Sequence, residues 1–213
     1  MRGFSLVEML VVLSIIAVIT TMALVSQSSF NRSLYLTDTA YSMALSIRQA
    51  QTLGLSSRAY NTTQNAGYGV YVSKTSPYSY VVYADTARTV TPPSNCLVGT
   101  TGSPDAKPGD CVYAAGSDGI VETNTFGRGF RISNICATIS GTRRCSATDT
   151  NMNAVSITYL RSVAETMGEA LYSTTWQPIT KAEIYISSSD ASGTRGICIS
   201  QVGQVSVATS TCP

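Results

Sequence analysis

Residues 1–25 read MRGFSLVEMLVVLSIIAVITTMALV, an apolar run with one carboxylate, Glu8, near its start. No charged residue occurs from Met9 to Asn31. A helix of that length covers a hydrocarbon core of about 30 Å. An acid within such a segment is costly, roughly 2.5–3.5 kcal/mol for Asp at a helix centre, and so points to a function. A secretory signal peptide puts a shorter apolar stretch, about 7–15 residues, ahead of a small-residue cleavage site. Here the run is longer, and the small-residue junction near a positive charge, Gly3-Phe4, comes before it. Cleavage at that junction keeps the apolar helix.

The helical period continues beyond the apolar run. Leu36, Ala40, Met43, Ile47 and Ala50 recur at spacings of four and three, one face of an amphipathic helix, with Leu34, Tyr41 and Leu45 beside it. No proline interrupts Phe4 to Tyr60. The spacing predicts one helix from about Phe4 to about Ser57, some 80 Å long at 1.5 Å per residue. Packing of the stripe on the protein's own sheet is the simplest use for it.

Beyond Ser57 the period changes to two. YGVYV at 68–72 and YSYVVYA at 78–84 read as a hairpin. A Pro-, Gly- and Ser-rich loop follows from Thr89 to Asp118, then strand candidates at 129–133, 154–160, 182–187, 194–200 and 203–207. The last three are spaced as an antiparallel meander, with turns at Ser189–Gly193 and Val202-Gly203. The expected fold class is α+β: a long N-terminal helix, apolar in its first half, packed on an antiparallel sheet.

Composition narrows the chemistry. The 213 residues carry net charge +2, only 12% are charged, and histidine is absent. The commonest general base and metal ligand is therefore missing. Neither a G-x-S-x-G elbow nor a P-loop occurs, so catalysis, a cofactor and a metal are all unexpected. The six cysteines, 96, 111, 136, 145, 198 and 212, form no CxxC pair. Their even number beyond the apolar run suits disulfides made in an oxidising compartment. Of 15 connectivities, sequence proximity favours Cys96–Cys111, Cys136–Cys145 and Cys198–Cys212.

The segment GFSLVE at 3–8, followed by a charge-free apolar helix, resembles the N-terminal signature of type IV pilins and type II secretion pseudopilins. The resemblance implies that a prepilin peptidase cuts between Gly3 and Phe4 and methylates the new amine of Phe4. Arg2 would hold the leader on the cytoplasmic face. Glu8 would pair with the N-terminal amine of a neighbouring subunit during pilus assembly, an exchange that low dielectric favours. ALSIRQAQTLGLSSR at 44–58 and TRGICISQVGQVSV at 194–207 are similar to the H-type minor pseudopilins. The implied organisation is a leader (1–3), a transmembrane and filament-core half-helix (4–30), an amphipathic half-helix (31–58) and a periplasmic or extracellular β head (59–213). The implied function is that of a membrane-anchored structural subunit of a pilus or a type II secretion pseudopilus serving protein secretion. The implied partners are other pilin subunits, the prepilin peptidase, an inner-membrane assembly platform and the lipid bilayer. Related readings are a major pilin and an uncleaved anchored enzyme or receptor.

Three other groups invite chemistry. Arg128, Arg131, Arg143 and Arg144 could contact nucleic acid phosphates, as in a DNA-binding minor pilin of a natural-transformation pilus. Phosphate binding needs them on one face, and a solvated loop is the simpler reading. Asp105, Asp110, Asp118 and Glu122 could bind calcium, but match no EF-hand spacing and read more simply as turn formers. Tyr68, Tyr71, Tyr78, Tyr80 and Tyr83 are expected to serve core packing and cross-strand pairing.

Overall fold

The computed structural model describes residues 5–56, 58–88, 96, 109–161 and 166–213, with the side chains of 23–26, 28 and 29 outside the description. One helix, α1 (Leu6–Leu55), spans 50 residues, about 75 Å. Its bounds fall within two residues of those the sequence predicts. Ten strands follow: β1 (Gly67–Ser73), β2 (Ser79–Asp85), β3 (Gly119–Thr125), β4 (Arg131–Ile139), β5 (Thr142–Cys145), β6 (Met152–Tyr159), β7 (Met167–Tyr172), β8 (Thr175–Ser187), β9 (Thr194–Ser200) and β10 (Val205–Ala208).

The strands form one antiparallel sheet in the order β10-β9-β8-β7-β6-β1-β2-β3. The 13-residue β8 is the organiser. Its Thr175–Ile179 stretch pairs with β7, and from Ile179 onward β4 takes over as partner. Residues 181–187 pair with β9 on the other edge. β4 carries the short β5 as a hairpin.

The amphipathic half of α1 lies across this sheet. Leu36, Ala40, Met43, Ile47 and Ala50 are at most 1% exposed and pack with Val70, Val72, Val82, Ile157, Ile184 and Ile197 in one core. Their period of 3.6 matches the single face that the sheet covers. Leu34, Tyr41 and Leu45 are more than half exposed, because at about 100° per residue they lie on the far side of the helix. Gly54 permits a close approach to the sheet: a Cβ there would lie 2.3 Å from the Tyr159 carbonyl oxygen of β6.

Several strand bounds differ from the sequence reading. The candidate at 129–133 starts only at Arg131, since Arg128 and Gly129 have φ of 57° and 72° and make a turn. The candidate at 182–187 extends back to Thr175, and Gly203, at φ 80°, lies in the turn before β10. β3, β5 and β7 have no counterpart among the strands that the sequence pattern predicts. β3 is exposed along most of its length and β5 is four residues long, so neither alternates. β7 (MGEALY) is buried at its first four residues and carries Gly168 and Glu169, which break the apolar pattern. Most of the predicted loop from Thr89 to Asp118 lies outside the described residues.

Candidate functional site

The unusual surface is the first third of α1. Leu6, Val7, Met9, Leu10, Leu13, Ile16, Ile19 and Met22 are all more than half exposed, and no part of the head covers them. A water-soluble monomer seldom exposes so much contiguous apolar area. The polar residues within it are internally satisfied. Ser14 donates to the Val11 carbonyl at 2.8 Å, Thr20 to Ile16 and Thr21 to Ala17, each at 2.7 Å. A hydroxyl that bonds back to its own helix needs no water, which suits an apolar surround.

Glu8 sits in the first turn, where the helix dipole favours a carboxylate. Among the described residues it has no cationic partner. Gly3 and Phe4, the predicted cleavage and methylation site, lie outside the described residues. Among the described residues no helix is long and apolar enough to cross a membrane. The described exposed run, Leu6–Met22, rises about 26 Å at 1.5 Å per residue, just under a hydrocarbon core of about 30 Å.

The four arginines do not share a face. Arg143 and Arg144 are consecutive in β5, so their side chains leave opposite sides of the sheet. Arg143 donates from Nη2 to Glu183 Oε2 at 2.6 Å and to the Tyr185 hydroxyl at 3.3 Å. Arg144 donates to Asp149 at 3.3 Å and to the Tyr172 hydroxyl at 3.1 Å. Burial alone would raise the Glu183 pKa, but hydrogen bonds from Arg143 and Tyr185 outweigh it and hold the carboxyl below its usual range. Arg131 is exposed on β4. Arg128 lies at the base of the head, its guanidinium 3.6 Å from the centre of the Tyr35 ring.

Asp110 and Asp118 are buried. Asp118 accepts backbone N–H bonds from Thr86 and Ala87 at 3.0 Å and from Ala114 at 2.8 Å. Asp85, which the sequence reading passed over, accepts from Asp110 at 3.0 Å and Cys111 at 2.8 Å. Burial, with Asp118 and Asp110 nearby, pushes Asp85 well above its ordinary pKa despite those bonds. Burial likewise raises Asp118. Glu122 is exposed on β3, and Asp105 lies outside the described residues. Among the described residues no His, Cys, Asp and Glu group could hold a metal. The N–H groups around Asp85 and Asp118 aim hydrogens where a cation would need oxygen lone pairs.

The disulfides are Cys96–Cys111, Cys136–Cys145 and Cys198–Cys212, the pairs that sequence proximity favours. Cys136 and Cys145 are register partners across the β4–β5 hairpin. Cys198–Cys212 ties the C-terminal tail to β9, and its Cys212 packs against Tyr185 and the Cys136–Cys145 bridge. Of the hairpin tyrosines, Tyr68, Tyr80 and Tyr83 are buried, while Tyr78 is about half exposed.

Residues 1–24 match the prokaryotic N-terminal methylation motif. The N terminus is of the prepilin type. That motif and the exposed apolar helix describe the same segment from two directions. No curated protein and no solved structure matches the chain.

Proposed function

We propose that this chain is a minor pilin or pseudopilin: a structural subunit, held in a membrane before assembly, that joins a helical filament by its N-terminal helix. One observation carries the reading. A segment with the methylation motif continues directly into an apolar helix whose described side chains are left uncovered by the chain itself. From Leu6 to Val25 the sequence supplies 20 residues without a charge other than Glu8, enough to span about 30 Å. Before assembly that segment anchors the subunit in the inner or cytoplasmic membrane with the β head outside. In the filament the same segments pack side by side. Glu8 then meets the amine of Phe4 from a neighbour, a group that exists only after a prepilin peptidase removes residues 1–3. An inner-membrane platform would drive the transfer. The H-type resemblance of residues 44–58 and 194–207 favours a minor position, and the internal ion pairs of Arg143 and Arg144 weigh against a nucleic acid role.

Mass spectrometry of the mature N terminus tests the proposal. A chain starting at N-methylated Phe4 is expected. An intact Met1, or a cut beyond Val25, would sink it.

A further inference from the structure

Where α1 leaves its apolar half and meets the head, Asn31, Arg32, Tyr35, Arg128, Ser188 and Ser189 line a cleft of about 380 Å³. Arg32 is the first charged residue after Glu8. The two lie 24 residues apart on one unbroken helix, about 36 Å. A bilayer has a hydrocarbon core of about 30 Å and measures about 40–45 Å with its polar layers. With Glu8 at the inner boundary of the core, Arg32 stands in the outer polar layer.

The cleft is cationic and its shape is held. Arg128 occupies the centre of a Gly127-Arg128-Gly129 turn at φ 57°, a backbone state uncommon for a residue with a side chain. Such strain persists where the surroundings fix it, and it gathers at ligand sites. Here the guanidinium carbon sits over the Tyr35 ring, 3.6 Å from its centre. A ring face takes up no N–H donor, and a guanidinium's planar fork of donors grips phosphate oxygens in pairs. Among the described residues no carboxylate lies within ion-pair distance of Arg128. Arg32 pairs with Asp190, which also accepts hydrogen bonds from Ser188 at 2.7 Å and Ser192 at 2.8 Å. A third guanidinium, Arg195, donates to Thr37 and Ser33 on the same stretch of helix, each at 3.0 Å. Against these three cations stand Asp190 and, a turn further along the helix, the exposed Asp38.

We propose that this cleft binds the phosphodiester of an anionic lipid head group in the outer polar layer, fixing the height and rotation of the head on the bilayer before assembly. The inference rests on the membrane-anchored reading above. It adds a release step, because extraction into a filament must break the phosphate contacts.

The test uses the full chain in micelles containing equal amounts of phosphatidylglycerol and phosphatidylcholine, with bound lipid counted by native mass spectrometry. A preference for phosphatidylglycerol is expected. It should fall about tenfold or more in Arg128→Gly, as charge-assisted hydrogen bonds are lost. That variant suits the turn's positive φ, so the fold is kept. Arg32→Ala should lower the preference too. Equal binding of both lipids, or a preference unchanged in both variants, overturns the proposal. So does displacement of the lipid by millimolar inorganic phosphate, which would make the site one for a free anion. A DNA oligonucleotide that binds the wild type and not Arg128→Gly, with no lipid preference, would transfer the cleft to nucleic acid. Carbonate extraction from vesicles separates the two readings. A chain washed out of every vesicle refutes the anchor, whereas retained insertion without lipid preference refutes only the head-group site.

Discussion

Gly54→Ala offers a test in which two physical effects predict opposite signs. In an exposed helix interior, alanine is about 1 kcal/mol more favourable than glycine. On α1, however, the added Cβ would lie 2.3 Å from the Tyr159 carbonyl oxygen, 2.8 Å from its carbon and 2.9 Å from its Cβ. Ordinary carbon contacts begin near about 3.5 Å. The neighbours are β6 backbone and the root of a side chain, so neither can rotate away. The end of the helix must instead lift by about 1 Å from the sheet, and a gap of that size forfeits roughly a quarter to a half of each dispersion contact it opens. Ile47 and Ala50, wholly buried in the preceding turns, would share that loss. A clash this close with backbone belongs in the upper part of the overpacking range, about 2–3 kcal/mol. Less the propensity gain, the net destabilisation is about 1–2 kcal/mol. For a chain of this size that lowers Tm by about 2–8 °C. Denaturant unfolding of the full chain in detergent, followed by the fluorescence of Trp176, the single tryptophan, gives the free energy. An unchanged or raised stability would refute the close seating of helix on sheet.

Three further outcomes are expected. Replacing Cys198 and Cys212 by Ser together opens a loop with a sequence separation of 14 and should cost about 3 kcal/mol in the same assay; a loss under about 0.5 kcal/mol would mean that the tail is held by other contacts. Asp85 has a folded pKa raised above its unfolded value by burial, so its contribution is present below the unfolded pKa and lost as pH rises through the folded one; Asp85→Asn should flatten that decline in a series of unfolding midpoints against pH, and an unaltered slope would count against it. Glu8→Ala should leave membrane insertion intact yet block incorporation into sheared filaments, and normal incorporation would remove the charge-pairing role.

The sequence carried the helix and its buried stripe because both are written in a local period. Leu36, Ala40, Met43, Ile47 and Ala50 recur at helical spacing, and no proline breaks the run. The strands were legible where apolar residues alternate or cluster, as in YGVYV and TRGICIS. They were illegible where burial is one-sided or where pairing, rather than side-chain pattern, makes the strand. β3 is held by β2, and β5 by its hairpin with β4. The fork at Ile179, where β8 changes partner from β7 to β4, is a tertiary event with no local signal. At the candidate site the split is similar. The GFSLVE junction and the charge-free run are one-dimensional and could be read directly. The Arg128–Tyr35 contact joins residues 93 positions apart and could not. A Gly-Arg-Gly triplet was the one available hint, since glycines on both sides of a cation mark a sharp turn that presents it.

The apolar half of α1 also explains why a single carboxylate should govern assembly in the proposed reading. Lipid tails are as apolar as leucine, so moving Leu6–Val25 from a bilayer into a bundle of identical helices gains little hydrophobic free energy. Backbone groups are satisfied within the helix in both settings, and Ser14, Thr20 and Thr21 carry their hydroxyl partners with them. What remains different between the two states is charge. In the bilayer Glu8 lies near an interface, where hydration and snorkelling moderate its cost. In a filament core water is gone, and an unpaired carboxylate there is strongly destabilising while a paired one is tolerated. A subunit in register meets the amine of its neighbour. One displaced by a helical turn, about 5.4 Å, leaves both charges bare. The acid near the start of the run thus gives little attraction of its own but penalises every wrong register, a role that alanine at position 8 cannot fill.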